Sequence, residues 1–282
     1  MSMTIAVAGK GGTGKTTIAA LLAKFLATKG TVLAVDADPS VNLHMALGLP
    51  EPETVGSIRE ELLKAGGSVS GMSRHDYIEL RAREAMVESE GLDLLAMGRP
   101  EGPGCYCPAN YVLRLFLDKL TEAYDYVVID NEAGMEHISR QTSRDIHTML
   151  LVSDPTIRGV TAAGRAQALV KELGNRVSQT FLVINRVSGE LSQEIQEAIA
   201  AQELKLLALA PADPAVGELD AHGKPVAEIP PDSPLRAAVL DIARKLGLAP
   251  GSDPRLRGGG LDGARNKSSQ ASIHLSGGMK HH

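Results

Sequence analysis

An apolar run, Ile5-Ala6-Val7-Ala8, leads into Gly9-Lys10-Gly11-Gly12-Thr13-Gly14-Lys15-Thr16-Thr17, and Ile18 to Ala27 then reads as a helix. Strand, glycine-rich loop and helix in that order leave few folds open. Gly9, Gly14, Lys15 and Thr16 fill the fixed positions of G-x-x-x-x-G-K-[ST]. Glycines let successive backbone N–H groups curl around a phosphate with no Cβ in the way. The loop also opens a helix, whose N-terminus favours negative charge. Lys15 can reach the β- and γ-phosphates, and the Thr16 hydroxyl can hold Mg²⁺. The segment Gly9 to Thr17 is therefore expected to bind ATP with Mg²⁺.

Strand signals recur at Thr4–Ala8, Val32–Val35, Asp93–Ala96, Tyr126–Ile129, Thr148–Val152, Thr180–Ile184 and Lys205–Leu209, with a weaker one at Tyr77–Leu80. Helical patterns intervene at Thr16–Thr28, Tyr111–Ala123, Gly159–Glu172, Ser192–Ala201 and Pro234–Lys245. Short apolar strands spaced by helices predict an α/β fold with a doubly wound, mostly parallel sheet. Ligands in such folds bind at the carboxyl ends of the strands. A single P-loop domain is expected over residues 1–249. From about Pro250 the chain turns to Gly, Ser and Lys and ends in His281-His282, which reads as a disordered tail over residues 250–282, either native or in part vector-derived.

A formal net charge of -5 and a pI near 5.9 argue against a nucleic-acid partner. Tryptophan is absent, which removes the best base-stacking platform. No apolar run approaches the roughly 18 residues of a membrane span, and the immediate first strand leaves no room for a signal peptide. A cytoplasmic protein with no membrane partner is expected.

Two further acids end apolar runs. Val35-Asp36-Ala37-Asp38-Pro39 closes the second strand signal, and Asp38 is placed to orient or deprotonate an attacking water. Tyr126-Val127-Val128-Ile129-Asp130 precedes Asn131-Glu132-Ala133-Gly134. Asp130 would hold Mg²⁺, directly or through its water. Gly134 would present its N–H to the γ-phosphate in a segment that orders with ATP.

Both cysteines of the chain lie in Gly104-Cys105-Tyr106-Cys107-Pro108. In a reducing compartment such a pair is a metal or redox site before it is a staple. Pro108 suits a first helical position, and a helix N-terminus favours the thiolate. Two thiolates fall short of a closed four-ligand site. A symmetric dimer supplies four sulfurs on its two-fold axis. The ligand set suits Ni²⁺, Zn²⁺, Cu⁺ or an iron–sulfur cluster.

Lys10 makes the loop, Lys10-Gly11-Gly12-Thr13-Gly14-Lys15-Thr16-Thr17, resemble the deviant Walker A of a superfamily of ATPases. Its members include the nitrogenase iron protein, the Min and Par partition ATPases and several metallochaperones. The resemblance implies an ATP-gated homodimer in which Lys10 reaches the partner's nucleotide, much like an arginine finger. It assigns Asp38 a hydrolytic role. It places Asn185, after the strand Phe181–Ile184, against adenine, and Pro211 and Asp213 in a second base-contacting loop. Together with the C-x-C pair and the pattern carried by Asp130, Ala133, Gly134, Glu136 and His137, the chain is similar to the CooC family of nickel-insertion accessory ATPases. That likeness implies that Cys105 and Cys107 of both subunits hold the metal. It further implies that hydrolysis helps deliver nickel to apo carbon monoxide dehydrogenase. Glu136 and His137 read as hydrogen-bonding or capping groups rather than ligands. Two rival readings are an iron–sulfur electron-transfer or cluster-carrier ATPase and a Min/Par-type positioning ATPase. The first would need a cysteine after Asp130, where none occurs. The second would need a basic C-terminal helix or face, and residues 247–282 offer neither clearly.

Overall fold

The computed structural model describes residues 2–64, 74–98, 119–132, 145–172 and 176–248. Seven strands form its sheet: β1 Met3–Ala8, β2 Val32–Ala37, β3 Leu92–Ala96, β4 Tyr126–Asn131, β5 Asp145–Ser153, β6 Arg176–Val187 and β7 Leu206–Pro211. Their order is β3-β2-β4-β1-β5-β6-β7, and every pairing is parallel. All strands therefore end on one edge, and the motif-bearing loops after them share that edge.

The continuous apolar runs have a direct cause. In β1, Ile5 and Val7 join one core layer with Ile18, Leu22 and Val239, while Ala6 and Ala8 join the opposite layer with Val160, Ala163 and Ile199. Both faces of the sheet are covered, so alternation disappears. Helices α1 (Lys15–Ala27) and α8 (Pro234–Lys245) cover the first face, with the short α2 (Leu43–Leu47). Helices α3 (Val55–Lys64), α4 (Arg74–Glu84), α5 (Ile157–Glu172) and α6 (Gln193–Ala201) contribute to the second. Helix α7 (Pro214–Ala221) and a 3₁₀ turn at Val226–Glu228 complete the described elements.

The doubly wound sheet stands as the periodicity predicts, and it is parallel throughout. One expectation is overturned: Tyr77–Leu80 lies inside α4 and not in a strand. Three apolar or aromatic letters around Glu79 mimic a strand, but charges at helical spacing favour a helix. Arg83 pairs with Glu79 at i,i+4 spacing, 3.0 Å, and Arg81 with Glu84 at i,i+3, 3.0 Å. Arg81 also bonds Glu53 and Glu61, joining α4 to α3 and the segment before it. The expected helix Tyr111–Ala123 falls largely outside the described residues; 119–122 are helical. The C-terminal stretch from residue 249 lies outside them too. Among the described residues no helix is long and apolar enough to cross a membrane.

Candidate functional site

The loop after β1 is built on glycine geometry. Gly9 has φ 146°, and a Cβ there would strike the Val152 carbonyl of neighbouring β5. Gly14 has φ 87° and caps α1 with no side chain of its own. Any Cβ at Gly14 would strike the Asn185 amide. Both positions need glycine for backbone sign and for space. Gly11 and Gly12 are exposed, as is Lys10.

Three side chains hold the loop from within. The buried Thr13 donates its hydroxyl to the Lys10 carbonyl at 2.9 Å. Lys15, also buried, donates Nζ to the same carbonyl at 3.3 Å. From the end of β6, Asn185 donates Nδ2 to the Thr13 carbonyl at 2.8 Å. Its Oδ1 accepts the Arg186 N–H at 2.9 Å, with Arg186 held at φ 59°. Asn185 thus braces the phosphate loop in addition to standing where the resemblance expects an adenine contact. Thr16 and Thr17 open α1 and are half-buried.

Asp36 and Asp130 meet beneath this loop. They are register partners on β2 and β4 and are almost wholly buried. Asp36 accepts the Asp38 N–H at 3.0 Å and the Leu43 N–H at 2.8 Å. Burial pushes its carboxyl up against the pull of those two donors, and the Asp38 charge adds to the rise. Burial likewise pushes Asp130 up to about 7; the Thr16 hydroxyl and the Lys15 ammonium pull it down, while Asp36 and Asp38 repel it. Asp130 Oδ1 is buried without a hydrogen-bond partner. A buried, unsatisfied carboxylate oxygen beside a threonine hydroxyl fits the oxygen donor set of a hard cation, and the nearby Lys15 ammonium suits the phosphate oxygens such a cation also binds.

Asp38 folds on itself, with its carboxylate accepting the Ser40 N–H at 2.8 Å. The loop then passes through Val41 at φ 48°. A β-branched residue in the left-handed region costs about 1–2 kcal/mol. Two residues escaped the sequence reading. Asp36 pins both ends of the Asp38 loop, and its only signal was the Asp-x-Asp spacing. Asn131 is buried and donates Nδ2 to the Val7 carbonyl at 3.0 Å, and its Oδ1 has no hydrogen-bond partner among the described residues. No residue pattern marks that role.

Pro211 closes β7 opposite Val187. Asp213 is a double cap: it accepts from Ala215 N at 3.0 Å, Ser233 Oγ at 2.6 Å and Leu235 N at 3.3 Å. Burial pushes its carboxyl up, but these donors together hold it below the usual range. Its side chain is engaged by α7 and α8. Cys105, Cys107 and Gly134 lie outside the described residues. Among those described, no group of three or more His, Cys, Asp or Glu is arranged to hold a metal ion.

The model of the family described as CobQ/CobB/MinD/ParA nucleotide binding domain matches residues 4–226. An ATP-binding protein of Methanocaldococcus jannaschii is 40% identical over 248 residues, covering 86% of this chain and 98% of that relative. The carbon monoxide dehydrogenase accessory protein CooC of Rhodospirillum rubrum is 31% identical over 237 residues, 78% of this chain and 88% of CooC. The septum site-determining protein MinD of Pyrococcus horikoshii, solved with Mg-ADP, aligns over 87% of this chain and 96% of its own, with a TM-score of 0.62. At 23% identity that likeness shows the fold alone. With its phosphate loop, parallel sheet and carboxylates on one edge, the chain belongs to the CobQ/CobB/MinD/ParA nucleotide-binding family and is one of its P-loop ATPases.

Proposed function

We propose that this ATPase is a metallochaperone that inserts nickel into carbon monoxide dehydrogenase. The observation that carries the reading is Cys105-Tyr106-Cys107, in a chain similar to CooC over most of both lengths. Thiolates are the ligands that a carried Ni²⁺ or Zn²⁺ would use. The 40% relative adds support for ATP binding, but not for the metal.

Each residue of the site has a part in this reading. Lys15 leaves the Lys10 carbonyl for the β- and γ-phosphates. Thr16 and Asp130 would hold Mg²⁺, which when bound neutralises phosphate charge. Asp38 gives up the Ser40 N–H and takes a proton from the attacking water. Asn185, Pro211 and Asp213 line the base, and the Gly134 N–H meets the γ-phosphate. Lys10 crosses to the nucleotide of a second copy, so ATP favours a homodimer. Dimerisation brings two C-x-C pairs together as one four-sulfur site, and hydrolysis releases its nickel to the apo-enzyme. Sequence similarity to the septum site-determining protein MinD of Bacillus subtilis, 27% identical over 253 residues, supports a second reading, a positioning ATPase that dimerises with ATP and carries no metal.

Titration of Ni²⁺ and Zn²⁺ into reduced wild-type protein and Cys105→Ala, under ADP and under ATP, separates these. Metallochaperone function requires one metal per dimer, tighter binding with ATP and loss of the site in the variant. One metal per monomer, or binding that survives loss of the thiol, rejects the bridging site. ATP-dependent dimers with no metal affinity select the positioning reading, and iron with sulfide selects the cluster carrier.

A further inference from the structure

Thr13 is buried to 1% exposure, yet its hydroxyl serves neither the sheet nor the helix. It donates to the Lys10 carbonyl at 2.9 Å. That carbonyl also receives Lys15 Nζ, at 3.3 Å. The carbonyl of Thr13 itself is held by Asn185 at 2.8 Å. A chain of hydrogen bonds therefore runs from the end of β6, through Thr13, to the backbone of Lys10.

Lys10 needs such support. Its side chain is exposed, and Gly11 and Gly12 follow it, both exposed, with open space where a Gly12 Cβ would lie. Two glycines in a row supply no packing to fix a peptide plane. When Lys15 turns to a phosphate, the Lys10 carbonyl loses one of its two donors, and the Thr13 hydroxyl is left to hold it. A reaching lysine with an unfixed backbone would sample many directions, and that lost order raises the barrier to any step that uses its ammonium.

We propose that Thr13 is a positioning residue: its hydroxyl fixes the Lys10 peptide and so aims the Lys10 ammonium at the nucleotide of a second copy of the chain. The inference rests on the dimer reading, in which Lys10 acts in trans. It goes further in naming the residue that orders that lysine and in tying its order to Asn185. The hydroxyl, not the size of the side chain, is the operative feature. Valine has nearly the same shape and no donor. Serine keeps the donor and loses a methyl group.

The test is steady-state ATP hydrolysis by the full chain, with Mg²⁺, over a wide range of protein concentration. Wild type, Lys10→Ala, Thr13→Val and Thr13→Ser are compared, with KM and kcat separated. Wild type gains kcat as protein concentration rises, and Lys10→Ala loses that gain. Thr13→Val should lose about tenfold in kcat at high protein concentration, near the net worth of one hydrogen bond. The larger effect falls on kcat rather than KM, and Thr13→Ser recovers most of the rate. A Thr13→Val enzyme with the full wild-type gain overturns the positioning role while leaving Lys10 in place. A loss confined to KM, or a serine variant as slow as valine, overturns it also, since loop packing would then be the cause. If Lys10→Ala keeps the wild-type concentration dependence, the trans role of Lys10 fails first, and this inference with it.

Discussion

Asp36 and Asp130 face each other across β2 and β4 as two buried carboxyls on adjacent strands, and each is pushed up by burial. Asp130 rises from 3.8 to about 7. An acid raised in the folded state binds its proton more tightly folded than unfolded. Its contribution to stability is full below the unfolded pKa and is lost as pH climbs through the folded one. The nucleotide-free protein is therefore expected to lose stability through Asp130 between about pH 4 and pH 7. Asp130→Asn should flatten that part of the profile. Urea midpoints of the two proteins, compared across this range, check it. A parallel pair of profiles would place the Asp130 carboxyl in the ordinary range.

Asp38 gives a second prediction. Among the described residues its carboxylate accepts only a local backbone N–H, from Ser40, and Asp36 anchors the surrounding loop. Asp38→Ala should therefore fold normally and keep nucleotide affinity within about threefold, because a surface turn bond is worth little. Hydrolysis should fall by about a hundredfold or more if Asp38 is the base. An ATP-bound dimer should then accumulate, visible by light scattering. A monomer with ATP demonstrably bound would count against the dimer and against the trans role of Lys10.

The central strands and the phosphate loop were legible because their causes are local. Strands buried on both faces must be apolar throughout, and a loop that wraps a phosphate must be glycine-rich. Tyr77–Leu80 misled because a short window cannot separate strand from helix when the arginines of the deciding ion pairs lie beyond it. Helices α2 and α7 were missed for a related reason. Leu43–Leu47 is a single turn and a half, and α7 buries no residue of its own, so neither displays an amphipathic period. The roles of Asp36, Asn131 and Asp213 were illegible for another reason. Each depends on a partner brought by the fold: Leu43 N–H, the Val7 carbonyl and Ser233.

Glu203 offers a stability test far from the nucleotide. Helix α6 ends with Leu204 N donating to the Ile199 carbonyl at 3.2 Å and Glu203 N to the Ala200 carbonyl at 3.0 Å. This is the closing pattern that favours glycine, yet Glu203 occupies the left-handed position at φ 51°. Glu203→Gly should stabilise the protein by about 0.5–1 kcal/mol, the relieved backbone strain less the added freedom of the unfolded chain. Glu203→Ala, which keeps a Cβ, should gain none of it. Urea unfolding of the three proteins decides, and equal stability of the two variants would refute a backbone cause.

Asn185 separates bracing from base recognition. Its Nδ2 supports the Thr13 carbonyl from a site only 3% exposed. Asn185→Ala leaves that carbonyl without its donor, and a buried unmet acceptor costs about 1–3 kcal/mol. ADP affinity should fall roughly ten- to hundredfold, and GDP affinity in parallel, because the loop serves the phosphates of both. A residue that only read adenine would instead erase the preference for ADP and spare GDP. Asn185→Asp is the sharper variant. Its ionised carboxylate would set acceptor against acceptor at the Thr13 carbonyl, so it should bind nucleotide more weakly than alanine near pH 8. Once protonated it regains an O–H donor. Its affinity should therefore recover towards wild type as pH falls, while the alanine variant shows no such recovery. Titration of a fluorescent ADP analogue into both variants across that range reads the difference. A pH-independent deficit in Asn185→Asp would show that donation to Thr13 is not what Asn185 supplies.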